Sequence, residues 1–242
     1  MRDLIPAAWR PATLMALGLG AVILTYGLMR DNTIPAPADR AIPMLRHSPG
    51  TPLRIAVFGT SLTAGSHWPE DVTQALQNCL GRPVSLSRIA QPGATSLWAR
   101  DHVVDVLATS PDIVLIEFAI NDADLRNGLS LVGSIATHQA IILALHESRP
   151  DLRIVLMTMN PAQGLRGVMR PQLAAYYAAY SDLAALTDSG LVDLYPRWLT
   201  LPRAARGLAD GLHPKDIVAR SVIVPALLVY LSHSAGVDCN TP

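Results

Sequence analysis

Charge of either sign in excess is the first thing this chain lacks. Nineteen Lys and Arg balance 19 Asp and Glu over 242 residues. No basic face points to nucleic acid and no acidic tail is present, so both partner classes are excluded. Cysteine is nearly absent too. Cys79 and Cys239 are the only two, too few for a disulfide scaffold and without metal-ligand spacing around either, though enough for one staple in an oxidising compartment. There is no internal repeat, no low-complexity tract, no phosphate-binding glycine loop and no metal triad, so the chemistry calls for no cofactor and no metal. The nucleophile elbow GxSxG is missing, which argues against the α/β-hydrolase fold. What the chain has in quantity is apolar: half of its residues are hydrophobic. That excludes global disorder, and the length suits one α/β domain of roughly 200 residues with an appendage.

The appendage is N-terminal. Between Arg10 and Arg30 lie 19 uncharged residues, PATLMALGLGAVILTYGLM, just long enough as a helix to cross a hydrocarbon core of about 30 Å. Arg2 and Arg10 precede the run, and Arg30 is offset by Asp31, so the positive-inside bias keeps the N-terminus cytoplasmic and exports the rest. The preferred reading of residues 1–30 is a signal-anchor, making this a single-pass inner-membrane protein with a periplasmic domain. A cleaved signal is the alternative, with Ala36 and Ala38 as small residues at the cut, and it would leave a secreted or periplasmic product. A buried N-terminal helix is a third reading. Residues 31–51 hold four prolines without apolar periodicity and read as a semi-extended linker, leaving 52–242 as the folded domain.

In that domain short β-branched runs alternate with helical patterns. Leu53–Phe58, Val84–Ile89, Ile113–Phe118, Ile154–Met159 and Leu191–Leu194 read as strands, most of them apolar on both faces. Helical stretches fall near 68–80, 96–109, 130–148, 171–188 and 215–233. Pro171 stands at a helix start and Gly81 and Gly190 just past helix ends, and Pro225 should kink the last helix. Five βα repeats predict a three-layer α/β/α sandwich on a parallel sheet. Cys79 closes the first of these helices and Cys239 follows the last. Those helices commonly share one face of such a sheet, so a disulfide is one reading and two free thiols the other.

Ligands of a doubly wound sheet bind at the carboxyl ends of its strands. The segments there are FGTSLTAG, QPGAT, AINDAD, MNPAQG and the stretch leading to DGLHP. Ser61 follows the first strand on a tight turn that Gly59 permits. A hydroxyl needs a base to remove its proton, and the base needs a carboxylate to fix its tautomer; His213 and Asp210, three apart in DGLHP, supply both types. Acyl transfer also needs donors for a developing oxyanion. The Ser61 N–H, the Gly93 N–H (unobstructed by a side chain) and the Asn121 side-chain amide qualify.

Taken together, GTSLTAG, Gly93, AIND and DGLHP resemble blocks I, II, III and V of the SGNH (GDSL-like) hydrolases, in order and over residues 53 to about 233. The resemblance implies the flavodoxin-like SGNH hydrolase fold with a five-stranded parallel sheet. It also implies Ser61 as nucleophile, His213 as base, Asp210 as its orienter, and Ser61, Gly93 and Asn121 as the oxyanion hole. Two positions depart from the family pattern. Thr60 stands where the family name has Asp, and Ala119 replaces the block III glycine, adding a methyl near the strand end.

Other residues carry weaker expectations. His67, Trp68 and Asn160 are candidates for the substrate pocket wall. Asp122 reads as a backbone anchor, His102, His138 and His146 as helix surface or support, and Tyr176, Tyr177 and Tyr180 as a packing face. The expected function is an exported, membrane-tethered serine esterase acting on O-acyl, chiefly acetyl, esters. A cell-surface polysaccharide is the preferred substrate, with envelope polysaccharide synthesis machinery as the neighbouring partner. The alternatives are acyl transfer to a sugar hydroxyl, a lipid or thioester hydrolase, and a catalytically silent accessory protein.

Overall fold

The computed structural model of the chain describes residues 33–43 and 50–239. The expected signal-anchor over residues 1–30 lies outside them. Five strands, β1 (Leu53–Gly59), β2 (Val84–Ala90), β3 (Ile113–Glu117), β4 (Arg153–Thr158) and β5 (Gly190–Asp193), form one wholly parallel sheet in the order β2-β1-β3-β4-β5. β1, β3 and β4 are buried almost throughout, as expected of strands covered on both sides. β2 is an edge strand, and Ser85 and Arg88 on it reach solvent.

The helices follow the strands: α1 (Ser61–Ala64), α2 (Trp68–Leu80), α3 (Ser96–Asp101), α4 (Val103–Ala108), α5 (Ala119–Asp122), α6 (Leu131–Ser148), α7 (Gly164–Val168), α8 (Leu173–Leu186), α9 (Leu194–Thr200) and α10 (Asp216–Ser234). The chain leaves β1 through α2 toward β2, then turns back across β1 to β3. Right-handed crossovers therefore put α2 on one face and α3, α4, α6 and α8 on the other. α10 returns to pack on α2. There Cys79 and Cys239 form the disulfide, Cα atoms 6.0 Å apart, and Arg220 pairs with Asp71. By hydropathy and length α10 alone among the described helices is apolar enough to span a membrane. Its inner face, with Ile223, Leu227 and Leu231, is nonetheless buried in the domain core.

Several local expectations need correction. The 96–109 helix is broken at His102. The ring Nδ1 of His102 takes the Trp98 carbonyl at 2.8 Å, and its backbone N–H turns to Ala99 instead; a side chain bonding the i−4 carbonyl displaces the helical donor. Gly190 opens β5 rather than closing a helix. A Cβ there would sit 2.1 Å from the Tyr230 hydroxyl and 2.6 Å from Ile42. Pro171 lies two residues ahead of α8, and α10 runs through Pro225 as one helix. The linker reading of 31–51 fails over residues 38–42. Arg40 makes an antiparallel bridge to Leu191, both N–H···O bonds at 2.9 Å, Ile42 is buried, and Asp39 pairs with Arg197 at 2.6 Å. That stretch is a strap on the free edge of β5, which would otherwise present unpaired backbone.

Candidate active site

The parallel register sets Gly59 of β1 beside Ala90 of β2 and Glu117 of β3. The three chain segments that leave these positions carry Ser61, Gly93 and Asn121. Their convergence follows from the reversal of strand order at β1.

Thr60 caps α1: its hydroxyl accepts the Leu62 N–H at 3.2 Å, leaving Ser61 as the first helical residue. The Ser61 Oγ lies 2.9 Å from His213 Nε2, and His213 Nδ1 lies 2.6 Å from Asp210 Oδ2. Because a carboxylate only accepts, Nδ1 carries the proton and Nε2 is free to accept from the serine. The other Asp210 oxygen accepts the N–H groups of Leu212 (2.9 Å) and His213 (2.8 Å). Burial pushes the Asp210 carboxyl upward, but the His213 ring, the His213 N–H and the Leu212 N–H together outweigh it. The group stays well below the usual carboxylate range.

Two further segments fix the His213 loop. Asn160 donates through Nδ2 to the Leu212 carbonyl at 2.8 Å, and the Gln163 N–H donates to the Gly211 carbonyl at 2.7 Å. Asp216 ties this loop to the segment that follows Ser61, accepting from Ser66 Oγ at 2.7 Å and from the His67 N–H at 2.9 Å.

Ser61, Gly93, Asn121 and His213 line one cavity of about 250 Å³. The N–H groups of Ser61 and Gly93 have no acceptor among the described residues. Gly93 has φ +79°, where L side chains are strained, while the space a Cβ would occupy is open. Glycine is needed there for backbone conformation, not for close approach. Asn121 is nearly buried; its Nδ2 gives one hydrogen to the Ala94 carbonyl at 2.9 Å, and its Oδ1 faces Arg170. The second Nδ2 hydrogen remains for the cavity. A second cavity of about 360 Å³ also opens on Ser61 and His213, walled by apolar groups such as Leu62, Met159 and Ile223. A larger hollow of about 500 Å³ between the strap and α10 holds none of these groups.

Of the three proposed wall residues only Asn160 lines a cavity, the apolar one. Trp68 is fully buried and donates to the Leu62 carbonyl at 3.0 Å; it is core. His67 lines neither cavity and points outward, its Nδ1 3.1 Å from Asp216. Ala119 adopts ordinary helical backbone in α5, so its methyl disturbs nothing. Asp122 accepts the Ser96 N–H at 2.8 Å and the Ser134 hydroxyl at 2.6 Å. His138 is a buried strut: Nδ1 donates to the Ser134 carbonyl (2.8 Å), so Nε2 accepts from the Tyr180 hydroxyl (2.8 Å), whose oxygen accepts the Ala119 N–H. Burial lowers its pKa and keeps it neutral.

The sequence alone assigns Glu117 no role. Its buried carboxyl accepts the Thr60 N–H at 2.6 Å and the hydroxyls of Thr60 and Thr63, clamping the Ser61 turn from beneath. Burial raises its pKa to about 7 against those hydrogen bonds. Gly59 is glycine because a Cβ would lie 2.3 Å from this carboxyl. The signal was a lone charge closing an otherwise apolar strand, IVLIE.

Residues 57–218 match the family model of the GDSL-like lipase/acylhydrolases. The chain belongs to that family. It is accordingly a carboxylic ester hydrolase, and its three-layer α/β fold on a five-stranded parallel sheet matches the family. Among solved structures it is similar to a lipase/acylhydrolase from Enterococcus faecalis, at 23% identity and TM-score 0.65, over 78% of this chain and 100% of that one. It is also similar to a variant of an acetyl-xylooligosaccharide esterase from Geobacillus stearothermophilus, at 22% identity and TM-score 0.63, over 77% and 95%. A sequence search of curated proteins finds no match.

Proposed function

We propose that this GDSL-like hydrolase cleaves O-acyl esters through an acyl-enzyme on Ser61. The observation that carries the reading is the unbroken chain from Ser61 Oγ to His213 Nε2 at 2.9 Å and from His213 Nδ1 to Asp210 at 2.6 Å. His213 takes the serine proton as Oγ attacks the acyl carbon, and the carbonyl oxygen becomes an oxyanion among the Ser61 N–H, the Gly93 N–H and Asn121 Nδ2. Collapse expels the alcohol, which leaves with the proton from His213. Water, deprotonated by the same imidazole, then attacks the acyl-serine and releases the carboxylic acid. The side chains of His213 and Asp210 are each more than two-fifths exposed, so water reaches the acyl-enzyme freely. That favours hydrolysis over transfer to a sugar hydroxyl.

The preferred substrate is an acetyl ester on a cell-surface polysaccharide, reached from the inner membrane through the apolar run at Pro11–Met29. A structural neighbour that acts on acetyl-xylooligosaccharides supports the substrate class, and the export bias of the N-terminal charges supports the placement. With Ser61→Ala, p-nitrophenyl acetate hydrolysis is expected to fall by on the order of 10⁴-fold or more; wild-type rates in that variant would sink the triad. The full-length chain should fractionate with membranes, and recovery in the cytosol would contradict the tether.

A further inference from the structure

Ser61 stands between two cavities of opposite character, and the contrast reaches past the acyl bond itself. The 360 Å³ cavity is mostly apolar, with Asp216 and Asn160 among its walls. The 250 Å³ cavity, the one with the oxyanion donors, gathers Arg126, Arg166 and Arg170 around a single carboxylate, Asp124. Asp124 is fully occupied: Arg170 approaches one oxygen at 2.7 Å, and Arg126 grips both at 2.9 and 2.6 Å. One carboxylate cancels one guanidinium. Arg170, buried, is further held by the Ile120 carbonyl at 2.7 Å. Arg166 is different. Its guanidinium has no hydrogen-bond or ion-pair partner among the described residues, although it lines the same cavity as Ser61 and lies close enough to repel Arg170. Its backbone, on α7, is held beside the His213 loop, where the Gln163 N–H donates to the Gly211 carbonyl and a Cβ on Gly211 would meet the Arg166 Cβ at 3.4 Å. Like charges crowd a small hollow only against Coulomb repulsion, and a guanidinium without an acceptor is a fork presented to a planar or tetrahedral oxyanion.

We infer that this cavity is an anion subsite, and that the natural substrate is an ester bearing a carboxylate or phosphate within about one sugar ring of the scissile bond, with Arg166 as the group that reads it and Arg126 as its support. The inference rests on the ester-hydrolase reading of Ser61 and narrows its substrate to acidic molecules. A second use for the same charges is to stabilise the reaction's own oxyanion, and the two uses separate experimentally. An oxyanion role affects every ester alike, whereas a subsite discriminates between charged and neutral ones.

The test compares three acetyl esters carrying the acetyl group on the same hydroxyl: a methyl glucoside, the corresponding methyl glucuronoside, and glucose 6-phosphate. The wild-type chain should favour at least one charged ester over the neutral one by about ten-fold or more in kcat/KM, the scale of one charge-assisted hydrogen bond. Which charged ester leads tells carboxylate from phosphate. The preference should shrink as salt is raised. It should fall to near unity in Arg166→Gln, invert in Arg166→Glu, and return in part in Arg166→Lys. Arg166 leaves no carboxylate stranded when replaced, so these variants should fold, and an unchanged melting temperature checks it. Equal rates on all three wild-type reactions, or a loss in Arg166→Gln shared equally by neutral and charged esters, overturns the subsite and leaves the esterase reading standing. A wild-type chain that hydrolyses none of the three overturns the esterase reading and this inference with it.

Discussion

Two carboxyls flank Ser61, and each accepts hydrogen bonds from its surroundings, yet their environments drive them in opposite directions. Asp210 sits on an open loop, and three donors keep it ionised far below the working range. Glu117 sits under the nucleophile turn with donors from Thr60 and Thr63, but full burial wins and raises its pKa to about 7. The number of donors does not decide the outcome; access to water does. In the proposed reaction the surface carboxylate serves a charged imidazolium during each turnover, while the buried one serves the architecture. Replacing each should separate the two jobs.

The largest effect is expected at Asp210. Asp210→Asn should lower kcat by about 10⁴-fold by favouring the wrong imidazole tautomer, with little change in melting temperature. A variant within ten-fold of wild type would break the comparison at its catalytic end. Asn121 combines the two environments, being buried like Glu117 yet facing the reaction cavity like His213. Asn121→Ala should lower kcat by about 10²–10³-fold, the cost of one oxyanion donor. An unchanged kcat would give Asn121 a purely local role, holding the Ala94 carbonyl.

Glu117 should show itself in stability. A carboxyl whose folded pKa is raised from 4.5 to about 7 stays protonated in the native state after the unfolded chain has lost its proton. The native state is therefore progressively disfavoured as pH rises through that window, and the penalty is constant above it. Urea denaturation should find the wild type on the order of 2–3 kcal/mol less stable at pH 8 than at pH 5 from this group. Glu117→Gln should remove that part of the slope, because the Thr60 and Thr63 hydroxyls can rotate to accept from the amide. Identical pH slopes in the two proteins would make Glu117 a silent acid.

The same contrast explains what the sequence made legible. Asp210, Leu212 and His213 satisfy one another within four residues, so DGLHP can be read as a unit. Ser61, Gly93 and Asn121 each follow a strand end that hydrophobic patterning locates. Glu117 is bonded to partners 54 and 57 positions away, and Arg170 reaches a carbonyl 50 positions away. Only the register of β1 against β3, or the packing of α8, which Arg170 precedes, against α5, creates those contacts, and neither has a local signature. Trp68 illustrates the reverse error: an aromatic beside a motif suggested a pocket wall, but its place in the first turn of α2 aims it into the core. The strap over residues 38–42 is hidden by the prolines that flank it, Pro37 and Pro43, since an edge-strand partner needs only one bridged residue and a buried Ile42.

In the proposed reaction Ser61 alone forms the covalent intermediate. Treating the wild-type chain with a fluorophosphonate and mapping the adduct by peptide mass spectrometry tests it directly. One adduct is expected, on Ser61, absent from Ser61→Ala and strongly slowed in His213→Ala. Full labelling of Ser61→Ala, or an adduct on another residue, would contradict it.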